Sequence, residues 1–302
     1  MDMKKKLLFC VLLIGNYSFV FSQTNILFLF HRLPEEKTIE LPGRVKLNYV
    51  EQGFNSGIPV IFLHGYTDSW HSFETVLLNF PRNIHAYAIS QRGHGNSDRP
   101  DNGYSNKDFA ADVAAFVKEL KLGPVIIVGH SMGGMIAQRF ALDYPELTRA
   151  LVIAGSTASF KNNEGVVELV KTVQQLSDPV DPDFASEFQK STIITPIPDA
   201  YFSLLVGESL KVPARVWKEA ATGIISDDYS DKLIRMDKPT LIIWGDKDII
   251  NSRADQDFLQ KSIKGSMLIV YEGIGHAVHW ERPQRFSKDL VNFINTLDTP
   301  GW

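Results

Sequence analysis

The chain has 302 residues, 44% of them hydrophobic and 22% charged, with a formal net charge of −4. That length suits one large domain or two small ones around a buried core, and the composition is that of an ordinary globular protein. No block of Lys or Arg stands out, so nothing points to a nucleic-acid partner.

The N-terminus departs from this composition. Three lysines, Lys4 to Lys6, precede an apolar run from Leu7 to Gly15, and Val20, Phe21 and Ser22 lead to Gln23. A basic start, a short apolar run and a small-residue exit predict a signal peptide over residues 1–22 and an exported protein, periplasmic or secreted. The apolar run is too short to cross a bilayer, which takes about 20 residues. Ile26 to Phe30 is apolar again, so an uncleaved N-terminal anchor is the alternative. Removing one Asp and three Lys moves the net charge from −4 to −6. It also removes Cys10, the single cysteine. The mature chain then has no integral membrane span, no disulfide and no thiolate metal site.

From about residue 45 short apolar runs alternate with helical patterns. Val60 to Leu63 and His85 to Ile89 read as strands closed by Gly-rich turns. Between Asn106 and Leu120, Phe109, Val113, Phe116, Val117 and Leu120 fall at helical spacing, and Ser105 with Asp108 forms a capping pair. Val125 to Val128 is a β-branched strand, and Met132 to Tyr144 a helix stopped before Pro145. Leu151 to Ala154 is a further strand. Thr240 to Trp244 and Met267 to Tyr271 repeat the strand signal, and Phe286, Leu290, Phe293 and Ile294 mark a closing helix. This alternation predicts a mostly parallel sheet covered on both faces. Residues 156–236 break the alternation. Their apolar residues are loosely helical and interrupted by Pro179, Pro182, Pro196, Pro198 and Pro213. They read as a helical cap inserted into a core formed by residues 23–155 and 237–302.

Gly129-His130-Ser131-Met132-Gly133 lies between the strand at 125–128 and the helix at 132–144. The flanking glycines permit a sharp turn that lifts the hydroxyl to the end of the sheet and to a helix N-terminus. By composition alone such a pentad occurs in about one chain of this length in ten, so its weight comes from its context. An acid and a histidine should follow in that order. Gly245-Asp246-Lys247-Asp248 follows one late strand and Gly275-His276 the next. Both sit where a parallel sheet places its ligands. Ser131 is then the nucleophile, His276 the base and Asp248 its orienting acid. His64-Gly65-Tyr66 follows the strand at 60–63. The main-chain N–H groups of Tyr66 and Met132 are therefore the expected oxyanion donors.

The sequence resembles the α/β-hydrolase superfamily, in the capped branch related to prolyl iminopeptidases, epoxide hydrolases and carbon–carbon bond hydrolases. The resemblance rests on His64 to Tyr66, Arg92 to Asp98, Gly129 to Gly133, Gly245 to Asp248, and Gly275-His276 with Glu281-Arg282-Pro283. It implies an eight-stranded, mostly parallel sheet with the cap inserted after strand 6. A serine in place of the aspartate of epoxide hydrolases argues for attack on an acyl carbon.

Other polar residues have structural readings. His64 and His130 lie in turns and are expected to bond backbone, and the Arg92–Asp98 loop reads as structural. His279 and Asp246 are the rivals of His276 and Asp248. No H-E-x-x-H and no G-x-G-x-x-G after a strand is present, so no metal and no cofactor is expected. The expected activity is hydrolysis of a carboxylic ester, thioester or lactone in a small-molecule acyl substrate. Carbon–carbon bond hydrolysis or perhydrolase and haloperoxidase-like chemistry is the alternative. Aminopeptidase action or a non-catalytic receptor role ranks lower.

Overall fold

The computed structural model describes residues 34–43 and 45–297. The expected signal peptide at residues 1–22 lies outside them.

Eight strands form one sheet: β1 (Glu36–Glu40), β2 (Lys46–Gln52), β3 (Ile58–Leu63), β4 (Ile84–Ser90), β5 (Val125–His130), β6 (Thr148–Ala154), β7 (Thr240–Gly245) and β8 (Met267–Tyr271). Their spatial order is β1-β2-β4-β3-β5-β6-β7-β8. β2 runs antiparallel to both β1 and β4, and all pairings from β4 to β8 are parallel. The expected sheet is thus present. β1 and β2 were not anticipated as strands. β1 is an edge strand with charged residues at Glu36, Lys37 and Glu40, and it lacks the apolar run by which the inner strands are read.

The inner strands are buried on both faces. Along β3, Val60 and Phe62 enter one core cluster while Ile61 and Leu63 enter the other. The first face packs against α1 (Glu74–Leu77), α9 (Val278–Glu281) and α10 (Pro283–Thr296), through residues that include Val76, Val278, Phe286, Leu290 and Phe293. The second packs against α2 (Asn106–Glu119), α3 (Met132–Asp143) and α8 (Arg253–Ser262), through residues that include Phe116, Phe140 and Leu259. Each such side chain contributes about 1.5–3 kcal/mol on full burial. Ser105 and Asp108 cap α2 reciprocally, each side chain accepting the other's backbone N–H. The Arg92–Asp98 loop is tied to the same helix: Arg92 forks onto Asp112, Nε to Oδ2 at 2.5 Å and Nη2 to Oδ1 at 2.7 Å.

Between β6 and β7 the chain forms four helices: α4 (Glu164–Val173), α5 (Pro182–Ser191), α6 (Asp199–Leu210) and α7 (Ala214–Ser226). Three of the five prolines that interrupt the sequence pattern mark helix starts. Pro182 opens α5, while Pro198 and Pro213 stand directly before α6 and α7. A proline there loses no helical hydrogen bond. Trp217 of α7 anchors this layer, with its ring centroid 5.6 Å from Phe188 of α5 and 5.3 Å from Tyr66 of the core. Among the described residues no helix is long and apolar enough to cross a membrane.

Candidate active site

Ser131 occupies the turn between β5 and α3 at φ 52° and ψ −117°, a strained backbone for a residue with a side chain. Several bonds hold the turn. The Ser131 N–H donates to the Ala154 carbonyl at the end of β6 (3.0 Å). Its own carbonyl accepts from Gly134 N (2.8 Å), Met135 N (3.2 Å) and the Ser156 hydroxyl (2.8 Å). Gly133 is required because a Cβ there would stand 2.1 Å from the Leu63 carbonyl oxygen. That close approach packs α3 against the end of β3 and exposes the Ser131 side chain, which is half-buried.

Asp248 and His276 follow β7 and β8. Their side chains meet, with His276 Nδ1 2.9 Å from Asp248 Oδ2, and both are buried. Asp248 Oδ1 accepts the backbone N–H groups of Ile250 (2.8 Å) and Asn251 (3.0 Å). The Asn251 amide adds a donor to Oδ2 at 3.2 Å. Burial opposes ionisation of this carboxyl. The His276 ring and the two backbone donors outweigh it and hold Asp248 below its ordinary value. Asp246, the rival acid, turns away and accepts Gly273 N at 2.6 Å. Asn251 was not singled out in the sequence; its role follows from a loop geometry that spacing does not reveal.

Four other buried histidines, His64, His94, His130 and His279, are each engaged with a polar neighbour. His64 Nδ1 contacts the Gly65 carbonyl (2.8 Å) and His94 Nδ1 the Arg92 carbonyl (2.8 Å). His130 Nε2 contacts the His276 carbonyl (3.1 Å), and His279 Nε2 the Ser72 hydroxyl (3.0 Å). Burial lowers His94 to about 4 and His130 to about 3, and lowers His64 and His279 well below 6.5. His279 thus has neither the carboxylate partner nor the basicity of a proton acceptor.

Ser131 and His276 line one narrow cavity of about 50 Å³, with Gly65 and Tyr66 beside them. Its apolar walls include Phe160, Val166, Leu169 and Ile224, so the cap helices close over it. Met132 is the first residue of α3, and its N–H has no acceptor within the helix. The Tyr66 phenol is drawn away from the cavity and donates to the Trp217 carbonyl (2.6 Å), which leaves the backbone of Tyr66 as the part able to serve an oxyanion. The acid among the cavity residues was not foreseen. Asp68, three positions after Gly65, is buried at the cavity wall. Among the described residues no three His, Cys, Asp or Glu side chains are grouped to hold a metal ion.

The profile of the alpha/beta hydrolase family matches residues 60–289. The chain belongs to this family. It is 29% identical over 265 residues to 2-(acetamidomethylene)succinate hydrolase of Mesorhizobium japonicum, covering 84% of this chain and 93% of that protein. It is 26% identical over 282 residues to a non-heme chloroperoxidase of Streptomyces lividans, covering 86% and 99% of the two chains. Among solved structures, an esterase from Exiguobacterium antarcticum superposes with a TM-score of 0.78 at 25% identity, covering 86% of this chain and all of that one. This alpha/beta hydrolase is therefore a hydrolytic enzyme by family, with a serine in the strained turn after β5.

Proposed function

We propose that the protein is a serine hydrolase that cleaves a small carboxylic ester, thioester or lactone through an acyl-enzyme. One observation carries this reading: Ser131, in its strained turn, lines the same narrow cavity as a histidine already bonded to a buried carboxylate. His276 takes the Ser131 proton as the hydroxyl attacks the acyl carbon, and the resulting imidazolium is stabilised by Asp248. The oxyanion faces the main-chain N–H groups of Tyr66 and Met132. His276 then passes its proton to the leaving alcohol. A water deprotonated by the same ring attacks the acyl-enzyme and releases the acid, and Ser131 regains its proton.

The narrow cavity favours short acyl groups. The M. japonicum relative is named for a succinate, a dicarboxylate. Among the described residues no Lys or Arg lines the cavity of this chain, so that substrate is not carried over. The basic and apolar N-terminal residues support action outside the cytoplasm.

Hydrolysis of p-nitrophenyl esters from acetate to decanoate, compared between the wild type and Ser131→Ala, tests the reading. Turnover of the short esters that vanishes in the variant is expected. Turnover that survives the substitution refutes it.

A further inference from the structure

The polar side chains on the cavity wall share one property: their N–H and O–H donors point elsewhere. Gln189 of α5 spends both amide hydrogens, one on Asp68 Oδ1 (2.9 Å) and one on the Ser209 hydroxyl (2.7 Å). The Thr192 hydroxyl donates to the Gln189 carbonyl (2.7 Å). The Trp280 indole donates to Ser72 (3.0 Å), and the Tyr66 phenol to Trp217. His130 is neutral with its Nε2 directed at a carbonyl, so that nitrogen carries the hydrogen. Its Nδ1 is then a bare acceptor, buried and without a partner. Apart from the reacting Ser131 and His276, and from Asp68 when it is protonated, the side chains of this wall have acceptors left to offer and no free donors.

Asp68 is the strongest of those acceptors. Its carboxyl accepts from Gln189 and from the Ser72 hydroxyl (3.1 Å), and these two bonds use about half of its lone pairs. Among the described residues no Lys or Arg forms an ion pair with it, and none lines the cavity. Burial pushes this carboxyl up to about 7, against the pull of Gln189, Ser72, the His276 ring and the Gly65 backbone. His130 Nδ1 and Asp68 Oδ2 also converge over Gly65: a Cβ on that glycine would lie 3.0 Å from the first and 3.1 Å from the second. Two acceptors therefore stand close to one another beside Gly65, next to the expected oxyanion donor Tyr66.

We propose that this wall selects a substrate whose short chain ends in a hydrogen-bond donor, best a primary ammonium, and rejects one ending in a carboxylate. The inference rests on the acyl-enzyme reading for its substrates but not for its binding test. An ammonium brings three donors and the charge that Asp68 lacks, and leaves no acceptor of the wall in conflict. A carboxylate at that end of the chain would meet the acceptors of Asp68 and His130, with no Lys or Arg lining the cavity to receive it. None of the acids of the cap, from Glu164 to Asp199, lines the cavity. The recognising carboxylate comes from the core loop that also bears Tyr66.

Two measurements test this. In Ser131→Ala protein, n-butylammonium is titrated by calorimetry with Asp68 intact and with Asp68→Asn added; binding at least tenfold tighter with Asp68 intact is expected. Equal affinities, or no binding of n-butylammonium to either protein, overturn the proposal whether or not the enzyme cleaves esters. In the active enzyme, kcat/KM is compared for p-nitrophenyl esters of 3-aminopropanoate, butanoate and succinate. The aminopropanoate ester is expected to lead and the hemisuccinate to trail, and the ratio of the first to butanoate is expected to fall at least tenfold in Asp68→Asn. A variant that lowers all three in proportion would make Asp68 a merely structural carboxyl. Absence of any turnover together with no fluorophosphonate labelling of Ser131 would count against the acyl-enzyme reading, and the calorimetric result would still decide this one.

Discussion

Replacing Asp248 by asparagine removes one charge and almost no volume, and the structure fixes where the new amide must point. The two carboxylate oxygens have different neighbours. Oδ1 faces two backbone donors, the N–H groups of Ile250 and Asn251, while Oδ2 faces His276 Nδ1 and the Asn251 amide. An amide NH2 at the Oδ1 position would confront two N–H groups with a third donor, at a cost of about 1–3 kcal/mol for each bond lost. The introduced asparagine therefore keeps its oxygen there and turns its NH2 toward His276. His276 must then accept at Nδ1, which puts its proton on Nε2. A ring in that tautomer cannot take a proton from Ser131. The expected loss in kcat is about 10⁴-fold, or about 5.4 kcal/mol of barrier. Steady-state hydrolysis of p-nitrophenyl acetate by wild type and Asp248→Asn measures it, with a thermal melt to confirm that the variant is folded. A folded variant retaining more than a tenth of the rate would refute the tautomer argument and the role given to Asp248. Asp246→Asn serves as the contrast, since its partner is Gly273 and its effect on kcat should stay within about tenfold.

Other consequences are separately measurable. His64, His94, His130 and His279 protonate near 6.5 in the unfolded chain but well below that in the fold, at about 4 for His94 and about 3 for His130. The unfolded state thus binds more protons as the pH drops below about 6.5, and stability falls by up to about 1.4 kcal/mol per pH unit for each histidine. Urea denaturation at pH 8 and pH 5.5 should show a large drop, and equal midpoints would contradict the burial of these rings. Gly133→Ala places a methyl group 2.1 Å from the Leu63 carbonyl oxygen and 2.6 Å from that of His64, both backbone atoms that cannot turn aside. A loss of about 1–3 kcal/mol or more in thermal stability is expected, and an unchanged melting temperature would show that the turn yields. If the N-terminal reading holds, protein recovered from the export pathway begins at Gln23 by N-terminal sequencing, whereas a start at Met1 in a membrane fraction would establish the anchor instead.

How far the sequence carried the reading depends on which property was local. The Ser131 pentad, the acid after β7 and the histidine after β8 could be found because a strand, a turn and a helix each leave a short-range pattern, and a parallel sheet brings such strand ends together. β1 escaped because Glu36, Lys37 and Glu40 give it no apolar run, and its pairing with β2 is its main qualification as a strand. Asp68 escaped for a different reason. In sequence it is one polar residue in a turn-rich stretch of Thr, Asp and Ser, and a capped hydrolase directs the search for a recognising acid to the cap. Its significance depends on what its neighbours have already spent: Gln189 lies 121 residues away and gives both hydrogens to other groups, and His130 is left with a bare Nδ1. Donor and acceptor types are written in the residue names, but whether a donor remains available is settled only when every bond around it has been assigned. The chemistry of attack at Ser131 is therefore legible from spacing, while the chemistry of selection is a property of the whole hydrogen-bond network that closes the cavity.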